Sequence, residues 1–188
     1  MKISAGEARG RKLTVPRGGQ IRITSDRVKE ALFNILGSVE GVRFLDMFAG
    51  TGNVGIEALS RGAAAAMFIE IRFSHAAVIR TNIERCGFGD RFEIIKASFD
   101  RGTALLRERG ERFDVIFADP PYERGLAERA ADVLYESSLL APGGIIVVEH
   151  SAREQCDGRG GLILKDRRGY GDTVLSFFAG IDQGDKDG

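Results

Sequence analysis

Cysteine is scarce. Cys86 and Cys156 are the only two in 188 residues, and they do not form a C-x-x-C pair. A disulfide scaffold and a zinc ribbon are excluded, and a reducing compartment, the cytoplasm, is expected. No apolar run approaches the ~18 residues of a membrane span, so no membrane partner is expected. The opening MKISAGEARGRK lacks the apolar core of a secretory leader, so no signal peptide is expected. Histidine is also rare. His75 and His150 have no partners at metal-ligand spacing, so structural roles are expected and no metal site. There is no internal repeat and no low-complexity segment. Net charge is absent as well, with 27 basic and 27 acidic residues.

What is present is an ordinary globular composition, 43% hydrophobic and 29% charged, which rules out a wholly disordered chain. The length fits one domain with room for a small appendage. A monomer is expected. The charge is unevenly spread. Residues 1–29 hold Lys2, Arg9, Arg11, Lys12, Arg17, Arg22, Arg27 and Lys29 against only Glu7 and Asp26. A basic arm on an acidic body is either a polyanion-binding segment or a solvated N-terminus.

Residues 2–5 and 11–15 read as short strands of a small hairpin, followed by a loop over 16–24. Thr24 or Ser25 can cap a helix whose apolar stripe is Val28, Ala31, Leu32, Ile35 and Leu36, stopped by Gly37. From residue 43 strands alternate with helices. The strands are expected at 44–49, 66–71, 92–97, 113–118 and 144–149, and the helices near 54–61, 74–86, 101–109 and 125–137. This predicts an α/β fold whose sheet is mostly parallel and covered on both faces. Strands 161–167 and 173–180, separated by a GYGD turn, add a C-terminal antiparallel hairpin at one edge. Adjacent Phe177 and Phe178 face opposite sides, at least one of them into the core. The chain divides into a basic hairpin and helix (1–40), the α/β domain (41–180) and a polar tail (181–188).

Two loops carry chemistry. After the first strand, Gly50, Gly52 and Gly55 match G-x-G-x-x-G before a helix, and Glu70 ends the second strand about 20 residues on. Glycines let the backbone turn tightly against a ligand, and the acid can accept both ribose hydroxyls. The pattern predicts an adenosine-containing cofactor without choosing among NAD, FAD and S-adenosylmethionine. Asp46, inside the first strand, disfavours a pyrophosphate and suits a cationic sulfonium, or else only braces the loop. After the fourth strand come Asp119, Pro120, Pro121 and Tyr122. The prolines stiffen the backbone and remove N–H donors. The Asp119 carboxylate and Pro120 carbonyl can accept from an exocyclic NH2, and Tyr122 offers a stacking plane. Acceptors on an arylamine turn its lone pair toward an electrophile and stabilise the positive charge that grows on nitrogen. An activated sulfonium methyl needs only alignment.

The segments ISAGEARGRKL, TSDRVKEALFNIL, LDMFAGTGNVGIEALSRGA and FADPPY together resemble the RsmD family, over about residues 1–180. The resemblance implies a Rossmann-like class I methyltransferase with a seven-stranded sheet and S-adenosylmethionine as cofactor. It implies methylation of a guanine N2, guanine 966 of 16S ribosomal RNA, in the 30S subunit or its assembly intermediate. By this carry-over Asp119, Pro120, Pro121 and Tyr122 hold the target base. The cofactor-binding set is Asp46, Phe48, Gly50, Thr51, Gly52, Glu70, Ser98 and Phe99, with Ser98 or Asp100 at the adenine. Arg22-Ile23-Thr24 stands where the family usually has Arg-Pro-Thr, and Ser98 where it often has Asp or Asn. Arg9, Arg11, Lys12, Arg17, Arg22 and Arg27 would bind RNA phosphates. Arg167, Arg168 and Tyr170, near the last turn, either extend that surface or are solvated. The competing functions are an adenine-N6 or cytosine-N4 DNA methyltransferase, a NAD-dependent dehydrogenase and a non-catalytic RNA-binding assembly factor. A DNA enzyme of this kind usually needs a separate recognition domain, and a dehydrogenase needs a hydride-transfer group that has no convincing candidate here.

Overall fold

The structure, a computed structural model, describes residues 1–16, 24–122, 125–158 and 161–180. The chain forms two compact units, Met1–Gly102 and Thr103–Gly188. Among the described residues seven strands make one sheet in the order β3-β2-β1-β4-β5-β7-β6. None of the helices described is long and apolar enough to cross a membrane.

In the first unit the expected hairpin is a minimal one. Lys2 and Lys12 form a single antiparallel bridge. The Ser4 and Ala5 amides then turn away and donate to the Glu57 carboxylate at 2.9 and 3.0 Å. Glu57 lies on a helix, so the ladder cannot continue beyond Ile3. Helix α1 (Asp26–Leu36) is capped by Ser25, whose hydroxyl accepts the Val28 N–H, and is stopped by Gly37 at φ 73°. Its buried face is Val28, Lys29, Leu32 and Phe33. Ile35, expected inside, is 37% exposed. The helix is rolled toward Phe33, which stacks near Phe44, and toward the Lys29 ammonium, whose partners lie inside the unit.

Strands β1 (Arg43–Met47), β2 (Ala65–Ile69) and β3 (Phe92–Ile95) are parallel, in the register Leu45↔Met67↔Glu93. They are joined by α2 (Asn53–Ser60) and α3 (Phe73–Cys86). Helix α2 is buried along its whole length, which only its small residues and tightly partnered polar ones permit. Helix α4 spans Phe99–Glu108.

In the second unit β4 (Phe113–Ala118) runs parallel to β5 (Leu140–Ser151), with α5 (Leu126–Glu136) between them in sequence. Strand β5 starts four residues before its expected edge. Pro142 and Gly143, at φ 71°, look like a turn, but the chain only shifts register there and resumes pairing at Ile145. Strands β6 (Leu162–Tyr170) and β7 (Thr173–Gly180) form the antiparallel hairpin, turning at Gly171, and β7 also pairs antiparallel with β5. Phe177 and Phe178 are both buried, so both faces of this part of the sheet are covered.

Candidate active site

Strand β1 carries Asp46 inward and delivers the chain into the glycine loop. Phe48 takes a left-handed backbone, φ 60°, which a bulky residue adopts only where the surroundings enforce it. Its ring stacks on Phe99, centroids 5.1 Å apart. Gly50 and Gly52 are also left-handed, at φ 56° and 75°. Gly52 stands at the start of α2, and a Cβ there would press on Ile56 and Ile79 at 3.1 Å. The loop is therefore bare backbone held against a packed floor.

Glu70, just after β2, reaches back to this loop. One oxygen accepts the Gly50 N–H at 2.8 Å and the other the Arg72 N–H at 2.7 Å. His75 Nδ1 lies 3.6 Å from the same carboxylate. Each Glu70 oxygen retains acceptor capacity, which a ribose diol can use. Ile71, next in the chain, is 65% exposed and offers an apolar face beside it. Asp46 is 2% exposed and accepts the Gly55 N–H at 2.9 Å. Burial pushes its pKa up to about 8, the Gly55 bond opposing and the Glu70 charge adding to the rise. Asp46 thus braces the loop and also holds a carboxyl whose ionisation a nearby cation favours.

Thr51 is buried, and its hydroxyl donates to the Met1 thioether at 3.5 Å. Ser98 caps α4 weakly, its hydroxyl accepting the Arg101 N–H at 3.4 Å, and Asp100 sits exposed in the first turn of that helix. The pieces fit a cofactor with a ribose, an apolar ring and a positive centre. Among the described residues no cluster of His, Cys, Asp and Glu could hold a metal.

In the second unit Asp119 and Tyr122 are half-buried, Pro120 is buried and Pro121 exposed, directly beyond the carboxyl end of β4. The Tyr122 hydroxyl and the Thr173 hydroxyl at the start of β7 hydrogen-bond at 3.2 Å, so the ring is held at its outer end. His150 is occupied structurally. Its Nδ1 donates to the Ser151 carbonyl and its Nε2 meets the Ser176 hydroxyl, each at 2.9 Å. Arg167, although exposed, donates to the Ser176 hydroxyl, the Cys156 carbonyl and the Asp157 carboxylate, while Arg168 pairs with Asp166.

Of the arm residues, Arg9, Arg11, Lys12 and Arg27 are exposed, and Arg17 and Arg22 lie outside the described residues. Arg11 donates to the Arg85 carbonyl at the C-terminal end of α3, and Arg85 donates to the Thr14 hydroxyl, each at 2.6 Å. Sequence reasoning missed Arg85, Lys29, Asn53, Glu57 and Asn82. The last of these carried one signal, an asparagine on the buried stripe of a helix between Ile79 and Ile83.

The sheet order and this glycine loop define a Rossmann-like, S-adenosylmethionine-dependent methyltransferase. A family model described as "Conserved hypothetical protein 95" matches residues 1–179, and the chain belongs to that family, the RsmD family. It is 37% identical over 150 residues to "Ribosomal RNA small subunit methyltransferase D" of Escherichia coli K12, covering 79% of this chain and 74% of that one. It is 38% identical over 152 residues to the protein of the same name from Haemophilus influenzae, covering 79% and 78%. The solved Escherichia coli methyltransferase candidate yhhF superposes with a TM-score of 0.83 at 30% identity, covering 97% of this chain and 99% of that one.

Proposed function

We propose that the chain methylates the exocyclic N2 amine of a guanine in 16S ribosomal RNA, guanine 966, acting as a monomer in the cytoplasm on the 30S subunit or its assembly intermediate. The observation that carries this reading is the Asp119-Pro120-Pro121-Tyr122 loop, directly beyond the carboxyl end of β4 and anchored through Thr173. When bound, S-adenosylmethionine supplies a methyl group already activated by its sulfonium. The chain has only to bind, orient and accept protons. Glu70 would hold the ribose, Phe48, Ile71, Ser98 and Phe99 the adenine end, Gly50, Thr51 and Gly52 the donor's approach, and Asp46 the positive charge. Asp119 and the Pro120 carbonyl would accept the amine hydrogens, raising nitrogen lone-pair character and stabilising its developing charge. Tyr122 would stack the base of a nucleotide splayed out of a single-stranded loop.

Residues 1–40 serve in this reading as the RNA-binding extension, residues 41–180 as the methyl-transfer domain and 181–188 as a polar tail. Lys2 and Lys12 sit directly opposite one another, a like-charge pairing that costs stability unless a polyanion offsets it. Arg11 and Arg85 join them. Among the described residues neither guanidinium has a carboxylate within ion-pair distance, which leaves both cations available to phosphates.

The test is methyl transfer from labelled S-adenosylmethionine to 30S particles from a strain lacking the activity, with the product digested to nucleosides. Label in N2-methylguanosine at position 966 is expected. Label in an adenine or cytosine, or none, overturns the proposal.

A further inference from the structure

Two buried asparagines join the N-terminal segment to the donor loop. Asn82, on α3, is wholly buried. Its Oδ1 accepts the Thr14 N–H at 2.8 Å, and its Nδ2 donates to the Thr14 carbonyl at 3.1 Å and to the Thr51 carbonyl at 3.3 Å. One side-chain amide thus pairs with Thr14 as a neighbouring strand would, and spends its remaining hydrogen on the glycine loop. Asn53, the first residue of α2, is 4% exposed. Its Nδ2 donates to the Thr24 carbonyl at 3.1 Å, and its Oδ1 accepts from the buried Lys29 ammonium at 2.9 Å. Thr14 and Thr24 bracket the segment that carries Arg17 and Arg22. Both ends of that segment are therefore fastened to Thr51 and Asn53, two residues apart in the loop.

Asparagine is a poor choice for a helix interior, and a buried amide is tolerated only when its hydrogen bonds are made. Apolar packing alone would have served to hold α3. The amide is distinctive because it fixes main-chain atoms of two different segments at once. We infer that Asn82, with Asn53, is a positioning residue through which RNA binding on the N-terminal segment and donor binding on the glycine loop favour each other. Because one amide fixes main-chain atoms of both segments, a ligand that holds one in place favours the geometry the other presents, and the coupling is reciprocal. The inference rests on the RNA-binding reading given above.

The experiment is calorimetric titration of the full chain with S-adenosylhomocysteine, with and without saturating 30S particles from a strain lacking the activity, which present the 16S rRNA in its proposed substrate form. Hydrogen exchange is followed on the unsubstituted protein with the particles alone. The particles are expected to tighten S-adenosylhomocysteine about fivefold or more and to slow exchange at the Gly50 and Gly52 amides. Asn82→Asp keeps the acceptor for Thr14 but loses both donated bonds. It should bring that factor close to one while the particles still bind. Particles that protect the Ile3, Gly10 and Leu13 amides yet change neither the loop amides nor the affinity overturn the coupling and leave RNA binding intact. Particles that leave those arm amides unprotected remove the RNA-binding reading, and the coupling with it. The exchange measurement decides the matter even if the variant does not fold.

Discussion

The Gly55 amide donates to the Asp46 carboxylate at 2.9 Å, and the Phe68 ring lies where a side chain at residue 55 would begin. A Cβ at this position would stand 2.4 Å from the Phe68 ring. Gly55→Ala must therefore push α2 away from β1 and β2 or displace the ring. Overpacking of this kind costs about 1–3 kcal/mol. A calorimetric melt is expected to fall by about 2–4 °C per kcal/mol for a chain of this size, and S-adenosylhomocysteine should bind more weakly because the loop moves with the helix. An unchanged melt would show that the ring yields freely.

Asp46 makes stability depend on pH. Its folded pKa, about 8, lies above its unfolded value because burial disfavours the carboxylate. Between the two values the native state holds a proton that the unfolded state has lost. This contribution is complete below about pH 4 and is lost as pH rises through 8. Asp46→Asn can keep an acceptor for Gly55 and should flatten this slope between pH 5 and 8, as read from urea midpoints. A cation bound nearby favours the ionised form. Calorimetry in buffers of differing ionisation enthalpy should find proton release near pH 7 on binding the cationic donor and much less on binding neutral S-adenosylhomocysteine.

Strand–helix alternation was readable because β1 to β4 are short, largely apolar runs separated by glycine, polar turns and helices. The placement of Glu70 beside the glycine loop was readable because their spacing is fixed by the geometry of one β-α-β unit. The Glu70 bond to the Gly50 amide was not, since a ribose-binding acid and a loop-bracing acid look alike in sequence. The roll of α1 was also hidden. Lys29 in an amphipathic pattern belongs on the wet side, and its burial rests on the Glu57 carboxylate, the Asn53 side-chain oxygen and the Lys2 carbonyl, which local sequence does not reveal. The early start of β5 was masked by Pro142 and Gly143, whose local signal is a turn and whose tertiary role is a register shift.

The buried Lys29–Glu57 pair sets a third expectation. The ammonium lies 3.0 Å from the carboxylate, and both side chains are fully buried. Burial alone would raise the Glu57 pKa. The Ser4 hydroxyl and amide, together with the Lys29 charge, outweigh it, and the pKa is lowered. The stability this supplies is present above the unfolded carboxyl value near 4.3 and is lost as pH falls below it. Lys29→Met would take one of two cations from a buried carboxylate that keeps Arg61 at 2.9 Å, and should cost less than the ~3–5 kcal/mol of a buried charge left wholly unpaired. Replacing both residues, Lys29→Met with Glu57→Leu, should recover much of that loss. A double substitution as unstable as the single one would mean that the carboxylate's bonds to the Ser4 and Ala5 amides, rather than its charge, hold the N-terminal segment.

The Tyr122–Thr173 contact separates two roles of the tyrosine. Its ring is the surface offered to a base, whereas its hydroxyl, 3.2 Å from the Thr173 hydroxyl, only fixes where the ring lies. Tyr122→Phe keeps the plane and loses one hydrogen bond, about 0.5–1.5 kcal/mol, so methyl transfer should fall by no more than about tenfold. Tyr122→Ala removes the plane and should cost on the order of 100-fold, as loss of alignment does. Thr173→Val should match Tyr122→Phe, and the two together should cost no more than either alone, because each removes the same bond. Single-turnover rates on 30S particles measure all four variants. Equal rates for the phenylalanine and alanine variants would assign base recognition to Asp119 and the proline carbonyl without the ring.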